Sequence, residues 1–325
     1  MRIGKTFILV LVLVCFSSLA LALPPGITSM SQLKAAKVGK VMTQDTRTMI
    51  NVNNLQMFCT NIGGFAEDIS VALETQKADG LYFPAGTDRT VLYSGGVWIG
   101  GRVDGEIRLA VGAFDTPEYF PGPANEDGER QEDNPAYKVY KIWNDSTVWH
   151  NPVKTGIALA DGTPYTRYDS AQHYTDYLNW PVDQGAPVDG EGDPALIGDQ
   201  MLWAVFNDGG THTYDGYGGA TDSLGVEVQA SYFGYDLPGA LGNTIFMKFI
   251  FINKGDNIID SCYVSLWADP DLGGASDDLV GCDTVLSLGY CYNATNNDQT
   301  FGSSPPAVGY DFMPVSYTHL TLPTN

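Results

Sequence analysis

The chain has 325 residues, of which 17 are Lys or Arg and 38 are Asp or Glu, so its formal net charge at pH 7 is −21. This acidic balance disfavours binding to nucleic acids and to anionic membranes, and it makes calcium or another hard cation the expected electrostatic partner. Hydrophobic residues make up 44% of the chain. That share is enough to bury a core and argues against a wholly disordered chain.

The N-terminus has the features of a secretory signal peptide. Two basic residues precede an apolar run from Phe7 to Phe16, and an Ala-Leu-Ala triplet follows. The run is shorter than the roughly 20 residues that span a bilayer, so a cleaved leader is favoured over an anchor. We therefore interpret residues 1–22 as a signal peptide and residues 23–48 as an N-terminal extension. The mature chain is expected to be secreted or held at the cell surface, without a membrane span.

The C-terminus carries a different signature. Residues 315–324 read V-S-Y-T-H-L-T-L-P-T, which matches the translation of a transposase-type sequencing-library adapter. The alternative is a natural C-terminal strand that has the same amino-acid sequence. We interpret residues 315–325 as derived from an adapter, and we expect that the native sequence continued differently after Pro314.

Short β-branched and aromatic runs, separated by Gly, Asp and Asn, recur through residues 49–314. Such runs are typical of strands, and no long amphipathic helical pattern occurs among them. Asp104-Gly105 predicts a tight hairpin turn between two of the runs. The almost continuous apolar run from Ile245 to Ile252 predicts a central strand that is buried on both faces.

These patterns predict an all-β fold with little helix. We expect a large antiparallel β-sandwich over residues 49–314, as one large domain or two closely packed subdomains. Residues 115–135 and 165–199 are rich in Pro, Gly and acids. They are expected to be long loops ordered over the sheets, because aromatic residues are interleaved with the acids.

Excluding Cys15, the chain has four cysteines, Cys59, Cys262, Cys282 and Cys291. An even number in an exported protein suggests disulfides, and four cysteines allow three pairings that the sequence does not distinguish. A bridge from Cys262 to Cys282 or Cys291 would close the loop between residues 269 and 283. Zinc is the weaker alternative, since the chain has no Cys-x-x-Cys pair, and free buried thiols are the remaining one.

Five carboxylates on a Gly-containing loop form the candidate metal site. Carboxylate oxygens that alternate along such a loop can turn inward together, as the six to eight ligands of calcium require. The predicted ligands are Asp269, Asp271, Asp277, Asp278 and Asp283. A solvated acidic turn and a catalytic role are the alternatives for these residues.

The sequence contains none of the common hydrolase or nucleotide-binding motifs. A carbohydrate-active enzyme with paired acids, such as Asp176 and Asp183, is one alternative for residues 165–199. A glycan-binding module is another, and it would need a flat exposed row of Trp and Tyr over those acidic loops. Packing of these aromatic residues in the core is the simpler interpretation.

Several longer sequence segments show a resemblance to a known protein family. They lie at 97–106 (V-W-I-G-G-R-V-D-G-E), 195–208, 224–229, 239–249 (G-A-L-G-N-T-I-F-M-K-F) and 265–284 (S-L-W-A-D-P-D-L-G-G-A-S-D-D-L-V-G-C-D-T). Together they resemble the N-terminal region of large exported proteins of Bacteroidota-like environmental bacteria. Those proteins commonly end in fibronectin-like or immunoglobulin-like modules and a type IX secretion sorting domain. The resemblance implies export of a multidomain protein, and it supplies no catalytic residues.

The expected function is therefore that of an exported extracellular or cell-surface module, structural or adhesive and noncatalytic, stabilised by calcium and disulfides. Its expected partner is an extracellular glycan or a surface protein. The alternative is a carbohydrate-active enzyme or glycan-binding module that uses the loops at 165–199.

Overall fold

A computed structural model of the chain describes residues 6–11, 47–66, 80–113, 118–144, 154–158, 164–166, 175–212, 220–313 and 317–318. Within these ranges the structure consists mostly of strands, and neighbouring strands in each sheet are antiparallel. The prediction of an all-β fold with little helix is confirmed.

The strands are β1 (Thr6–Leu11), β2 (Arg47–Ile50), β3 (Gln56–Thr60), β4 (Gly64–Phe65), β5 (Leu81–Tyr82), β6 (Thr90–Leu92), β7 (Ser94–Val103), β8 (Glu106–Val111), β9 (Phe120–Pro121), β10 (Tyr140–Trp143), β11 (Lys154–Ala158), β12 (Pro164–Thr166), β13 (Gln200–Asn207), β14 (Val226–Gly234), β15 (Phe246–Asn253), β16 (Asp260–Asp269), β17 (Asp278–Asp283), β18 (Leu288–Asn293), β19 (Asn297–Asp298), β20 (Gly302–Ser303), β21 (Ala307–Asp311) and β22 (Tyr317–Thr318). Short 3-10 helices span Val182–Gln184, Leu241–Asn243 and Ala275–Asp277.

Two large sheets form the body of the structure. A seven-stranded sheet has the order β10-β13-β14-β15-β1-β22, with β9 also paired to β13. An eight-stranded sheet has the order β16-β7-β4-β3-β5-β6, with β2 paired to β3 and β8 paired to β7. Smaller sheets are formed by β17-β18-β21, β11-β12 and β19-β20.

The hydrophobic core lies between the two large sheets. One cluster of buried residues runs from Ile50 to Tyr310 and includes side chains of both sheets, such as Ile99 of β7 and Phe206 of β13. The sheets therefore pack face to face, as in a β-sandwich, and a single core joins sequence that is far apart along the chain.

Strand β13 is buried on both faces, because all eight of its residues are buried. One face contributes Leu202 to the core between the sheets, and the other contributes Trp203 to a second cluster on the outside of the seven-stranded sheet. The sequence analysis predicted that the strand at Ile245 to Ile252 is central and buried on both faces. Strand β15 does lie between β14 and β1 in the sheet, but the predicted double burial is wrong, since β15 alternates between buried and half-buried residues.

The hairpin predicted at Asp104-Gly105 is confirmed. Strands β7 and β8 pair from Val103 opposite Glu106, and the two turn residues have φ of 52° and 87°. Positive φ at both central positions is what a two-residue hairpin turn requires.

The predicted signal peptide and the predicted adapter segment each contribute one strand at the same edge of the seven-stranded sheet. Strand β1, inside the predicted signal peptide, pairs with β15, and β22, inside the predicted adapter segment, pairs with β1. The remaining residues of both segments, and residues 23–46 of the extension, lie outside the described residues. If cleavage follows residue 22, β1 is removed and β15 becomes the edge of the seven-stranded sheet.

Among the described residues, Cys59, Cys262, Cys282 and Cys291 form no disulfide, so the predicted bridges are not formed in the structure. Cys282 lies opposite Gly289 in the β17-β18 pair, two positions from Cys291. Such a diagonal pair is about 7–8 Å apart, beyond the roughly 4.4–6.8 Å between Cα atoms that a disulfide spans. Cys59 and Cys262 lie in the eight-stranded sheet, on β3 and β16.

Thiol labelling of the purified protein at pH 8 tests this arrangement. Cys282 is exposed and the other three are buried, and burial raises the pKa of the Cys262 thiol to about 11. We expect a shortened chain of residues 23–314 to show one fast-reacting thiol when native and four in denaturant. The Cys282→Ser variant should lose the fast phase. Fewer than four thiols in denaturant without reductant would contradict the free-thiol arrangement.

Truncation of one side chain on β13 and one on β15 tests which strand is buried on both faces. Leu202 has no exposed surface, whereas Ile250 is half-buried. We expect Leu202→Ala to lower the free energy of unfolding by about 2–5 kcal/mol, because it leaves a cavity in the core. Ile250→Ala should cost less than half as much in urea denaturation. Equal losses would contradict the assigned burial.

Candidate functional site

The predicted acidic loop is organised by a carboxylate outside the predicted set. Asp298 accepts the N–H of Gly274 at 2.9 Å through Oδ2, and those of Thr300 at 2.8 Å and Phe301 at 2.6 Å through Oδ1. Burial acts to raise the pKa of Asp298, but these backbone donors outweigh burial and lower it. Gly273, at φ 67°, leaves room for this carboxylate, because a Cβ there would lie 2.4 Å from Oδ1. Asp298 thereby holds two separate loops together.

Two of the predicted ligands lie close to Asp298. Asp278 Oδ2 accepts the N–H of Leu272 at 2.8 Å, and Asp277 Oδ2 accepts the side-chain amide of Asn293 at 3.1 Å. Burial raises the pKa of Asp278, and the negative charges of Asp277 and Asp298 raise it further. The hydrogen bond from the Leu272 N–H lowers this pKa but does not cancel the rise. These acids repel one another and are already engaged by N–H donors.

The remaining predicted ligands lie at the end of β16, in the connection that follows it, and at the end of β17. Asp269 ends β16, where burial raises its pKa, and Asp271 follows two residues later. Asp283 lies at the far end of β17 from Asp278, and its Oδ1 accepts the N–H groups of Val285 and Leu286 in the turn to β18. The segment predicted as one loop therefore contains a strand, which separates Asp283 from the other acids.

Within the described ranges, no group of three or more His, Cys, Asp and Glu side chains is arranged to hold a metal ion. The five predicted ligands do not converge on one point, because β17 extends between them. Calcium binding by this region stays a prediction. The sequence analysis missed Asp298, although the D-Q-T-F-G turn that contains it is visible in the sequence.

Residues 175–199 cover the outer face of the seven-stranded sheet. Trp180 is 8% exposed, donates its indole N–H to the carbonyl of Pro187 at 2.9 Å, and contacts Tyr140 and Trp203. Its ring is thus a packing element, which supports the simpler interpretation of these aromatic residues. Tyr168 and Tyr174, which also belong to the predicted loop, lie outside the described residues.

The paired acids proposed for a glycosidase in this loop have different surroundings. Asp176 is fully buried, forms an ion pair with Lys138, and accepts the backbone N–H of Lys141 at 2.9 Å. Burial raises the pKa of Asp176, while the Lys138 ammonium opposes that rise. Asp183 is exposed. Asp176 therefore anchors the loop to β10 and, being fully buried, is not accessible to a substrate in this structure.

A second buried acid, Asp208, lies just after β13. Its two carboxylate oxygens accept the N–H groups of Leu224 and Val226 at 2.6 Å each. His212 Nε2 lies 2.9 Å from the Asp208 carbonyl and 3.8 Å from its Oδ2. Both side chains are fully buried, so this acid and histidine order the connection to β14 and do not face a substrate.

An open aromatic surface lies elsewhere, on the outer face of strands β7, β8 and β16. A groove of about 480 Å³ runs across these strands. Its lining side chains include Trp98, Arg102, Ile107, Leu109, Val111, Tyr263 and Ser265, with Gly100 at its floor. We call this groove, together with the neighbouring Trp267 that stacks on Trp98, the aromatic face. It lies opposite the core, because the alternate residues Val97, Ile99 and Val103 of β7 are buried between the sheets.

The rings of the aromatic face are held in a defined arrangement. Trp98 and Trp267 are parallel to within 6°, with ring centroids 6.5 Å apart. Trp98 donates its indole N–H to the carbonyl of Gly112 at 2.9 Å, which fixes its orientation. Tyr263 is 77% exposed and Ile107 is 56% exposed. The sequence analysis missed this surface, although the period-two spacing of Tyr263, Ser265 and Trp267 indicates one strand face.

Substitution of Asp298 tests its role in the acidic loop. We expect Asp298→Asn to lower the free energy of unfolding at pH 7 by about 1–3 kcal/mol, because an amide cannot accept all three N–H donors. Asp256→Asn, on an exposed turn, is the matched control. The pKa of Asp298 is lowered in the fold, so its contribution is present above the unfolded value of 3.8. It is lost as pH falls through the lower folded value.

Chemical denaturation at pH 7 and again near pH 2.5 checks both the size and the sign of this effect. The difference between the parent chain and Asp298→Asn should shrink at the acidic pH, because that pH lies below the unfolded value of 3.8 and the stabilisation from a lowered pKa is lost progressively below that value. A difference that grows as the pH falls would contradict the assignment.

Comparison with protein-family models, curated protein sequences and solved structures found no match to this chain. The resemblance to exported Bacteroidota-like proteins therefore stays an expectation from the sequence phrases. In the part of the chain that the structure describes, no helix is both long and apolar enough to cross a membrane.

Proposed function

We propose that this chain is an exported, noncatalytic module of an extracellular or cell-surface protein, with a structural or adhesive role. The observation that carries the proposal is the aromatic face. Tyr263 is exposed and the parallel rings of Trp98 and Trp267 are half-buried on a three-stranded platform, whereas the buried acids Asp176 and Asp208 are engaged by backbone N–H groups. Trp, Tyr and Arg are the residues that most often carry binding energy at protein surfaces.

The enzyme alternative has less support from the described residues. A glycosidase needs two carboxyl groups that face each other across a cleft, about 5–10 Å apart. Asp176 and Asp183 do not provide this pair, because Asp176 is buried beneath its own loop. The aromatic face has no acid among its lining residues. A surface of this composition suits contact and retention of a partner.

Export is supported by the sequence of residues 1–22, with its basic start, apolar run and Ala-Leu-Ala triplet. The net charge of −21 also suits an extracellular role, because it disfavours nonspecific binding to nucleic acid and to anionic membranes. The partner proposed for the aromatic face is an extracellular glycan or a surface protein.

Expression of residues 1–314 in a Gram-negative host tests the proposal. We expect the protein in the periplasmic fraction with Leu23 as its N-terminal residue, measured by mass spectrometry, and no release of reducing sugar from plant or bacterial polysaccharides. Leu9→Arg, which interrupts the apolar run, is the control and should stay in the cytoplasm. A cytoplasmic parent chain with residues 1–22 attached, or a clear release of sugar, would contradict the proposal.

A further inference from the structure

We propose that the aromatic face binds an extended polysaccharide of equatorially linked pyranose sugars, such as a β-1,4-glucan. This inference rests on the proposed function and names the chemical class of its partner. The binding site is the sheet face of β7, β8 and β16, and it is separate from the loops at 165–199 where the sequence predicted a glycan platform.

The pairing of the three strands lays out the site as parallel rows. Ser265, Trp98 and Val111 form one row, and Tyr263, Gly100 and Leu109 form the next. Three strands give a width of about 10 Å, and the six residue steps from Gly96 to Arg102 give a length of about 20 Å. The site is therefore long, narrow and shallow, which suits a short stretch of one sugar chain and not a compact small molecule.

Glycine forms the floor between the rings. Gly100 separates Tyr263 from Leu109, and a Cβ there would lie 2.6 Å from the Leu109 side chain. Gly96, opposite Trp267, approaches the carbonyl of Gly112 so closely that a Cβ would lie 1.7 Å from that oxygen. The two glycines therefore let the Leu109 side chain and the Gly112 backbone pack down onto β7 beside Tyr263 and Trp267.

The rings match the chemistry of a pyranose ring. When hydroxyls and glycosidic bonds are equatorial, the two faces of the sugar expose C–H groups, and these faces are flat and apolar. Such faces stack on Trp and Tyr, whose rings supply a large rigid contact at low entropy cost. Trp98 and Trp267 are already parallel, and Trp98 is fixed by its bond to Gly112, so little order has to be imposed on binding.

The polar groups and the charge of the site fit the same ligand. The exposed Ser261, Ser265 and Arg102 lie along the groove and supply hydroxyl and guanidinium groups for the equatorial hydroxyls of a sugar. In a chain with 38 acidic residues, none of the residues that line this groove is acidic. The groove therefore meets a neutral sugar chain with hydroxyl and guanidinium donors, whereas a basic partner would find no carboxylate here with which to form an ion pair.

A β-bulge aims the exposed tyrosine into the groove. The pairing of β16 with β7 shifts register between Asp260 and Tyr263, and Ser261 has φ of 51°. Bulges of this kind bend the strand and redirect its side chains, and they are regular structural features and not defects. Here Cys262 points into the core at 6% exposure, while Tyr263 is 77% exposed.

The test is titration of the full chain with cellohexaose, monitored by intrinsic tryptophan fluorescence and by isothermal calorimetry. We expect saturable binding of the β-linked hexasaccharide and at least fivefold weaker binding of maltohexaose, whose α-linked chain is curved. Tyr263→Ala and Trp267→Ala should each weaken the binding of cellohexaose at least fivefold. Tyr292→Ala, an exposed tyrosine on β18 outside the groove, is the matched control and should bind as the parent chain does.

Each other outcome overturns a defined part of the inference. Equal binding by all variants would move the site away from the aromatic face, and absence of binding by a folded, exported chain would exclude this ligand class while leaving the proposed function intact. Self-association that Tyr263→Ala abolishes, measured by sedimentation, would assign the face to a second copy of the chain. Chromatography of the recovered probe separates the two proposals, because cleaved cellohexaose would contradict the noncatalytic function and not the binding.

Discussion

The double burial of β13 is the constraint on which the rest of the structure depends. All eight residues of this strand are buried, so the sheet needs a covering layer on each side. The eight-stranded sheet covers one side, and residues 175–199 fold back to cover the other, with Trp180 against Trp203. A buried strand must also satisfy its backbone, and β14 pairs along one edge while β10 and β9 pair along the other. Residues 175–199 are therefore part of the packing.

Polar groups at the start of β13 join the two sheets. The Gln200 side chain exchanges hydrogen bonds with Asn51, and the buried Lys141 ammonium donates to Asn51 and to the Met49 carbonyl. These partners offset the cost of removing an ammonium group from water. Acids elsewhere play a similar part, since Asp208 and Asp298 each accept several backbone N–H groups and so order connections between strands. Some of the acidic residues therefore stabilise the fold, because their carboxylates accept backbone N–H groups in the loops.

The placement of these acids leaves the aromatic face as the surface best suited to a partner. Its strands are held from behind by core residues of β7, and its rings are oriented by the sheet and by the bond from Trp98 to Gly112. A rigid surface with preset rings loses little entropy when a ligand binds. The face combines apolar rings with hydroxyl groups and one guanidinium group, which is the combination that a ligand with apolar faces and polar edges requires.

The sequence by itself determined the local features: the strand-rich composition, the Asp104-Gly105 hairpin and the regions of long loops. These follow from turn chemistry and from alternation over a few residues, both of which are written in neighbouring positions. Tertiary structure decided what depends on distant partners. The apolar run at β15 does not reveal that one of its faces stays half-buried, whereas β13 gains a second cover from a loop that precedes it. The acids after Trp267 appear as one cluster in sequence, yet the pairing of β17 with β18 separates Asp283 from Asp278. The aromatic face combines side chains of three strands, two of them about 160 residues from the third, and only sheet register brings such residues together.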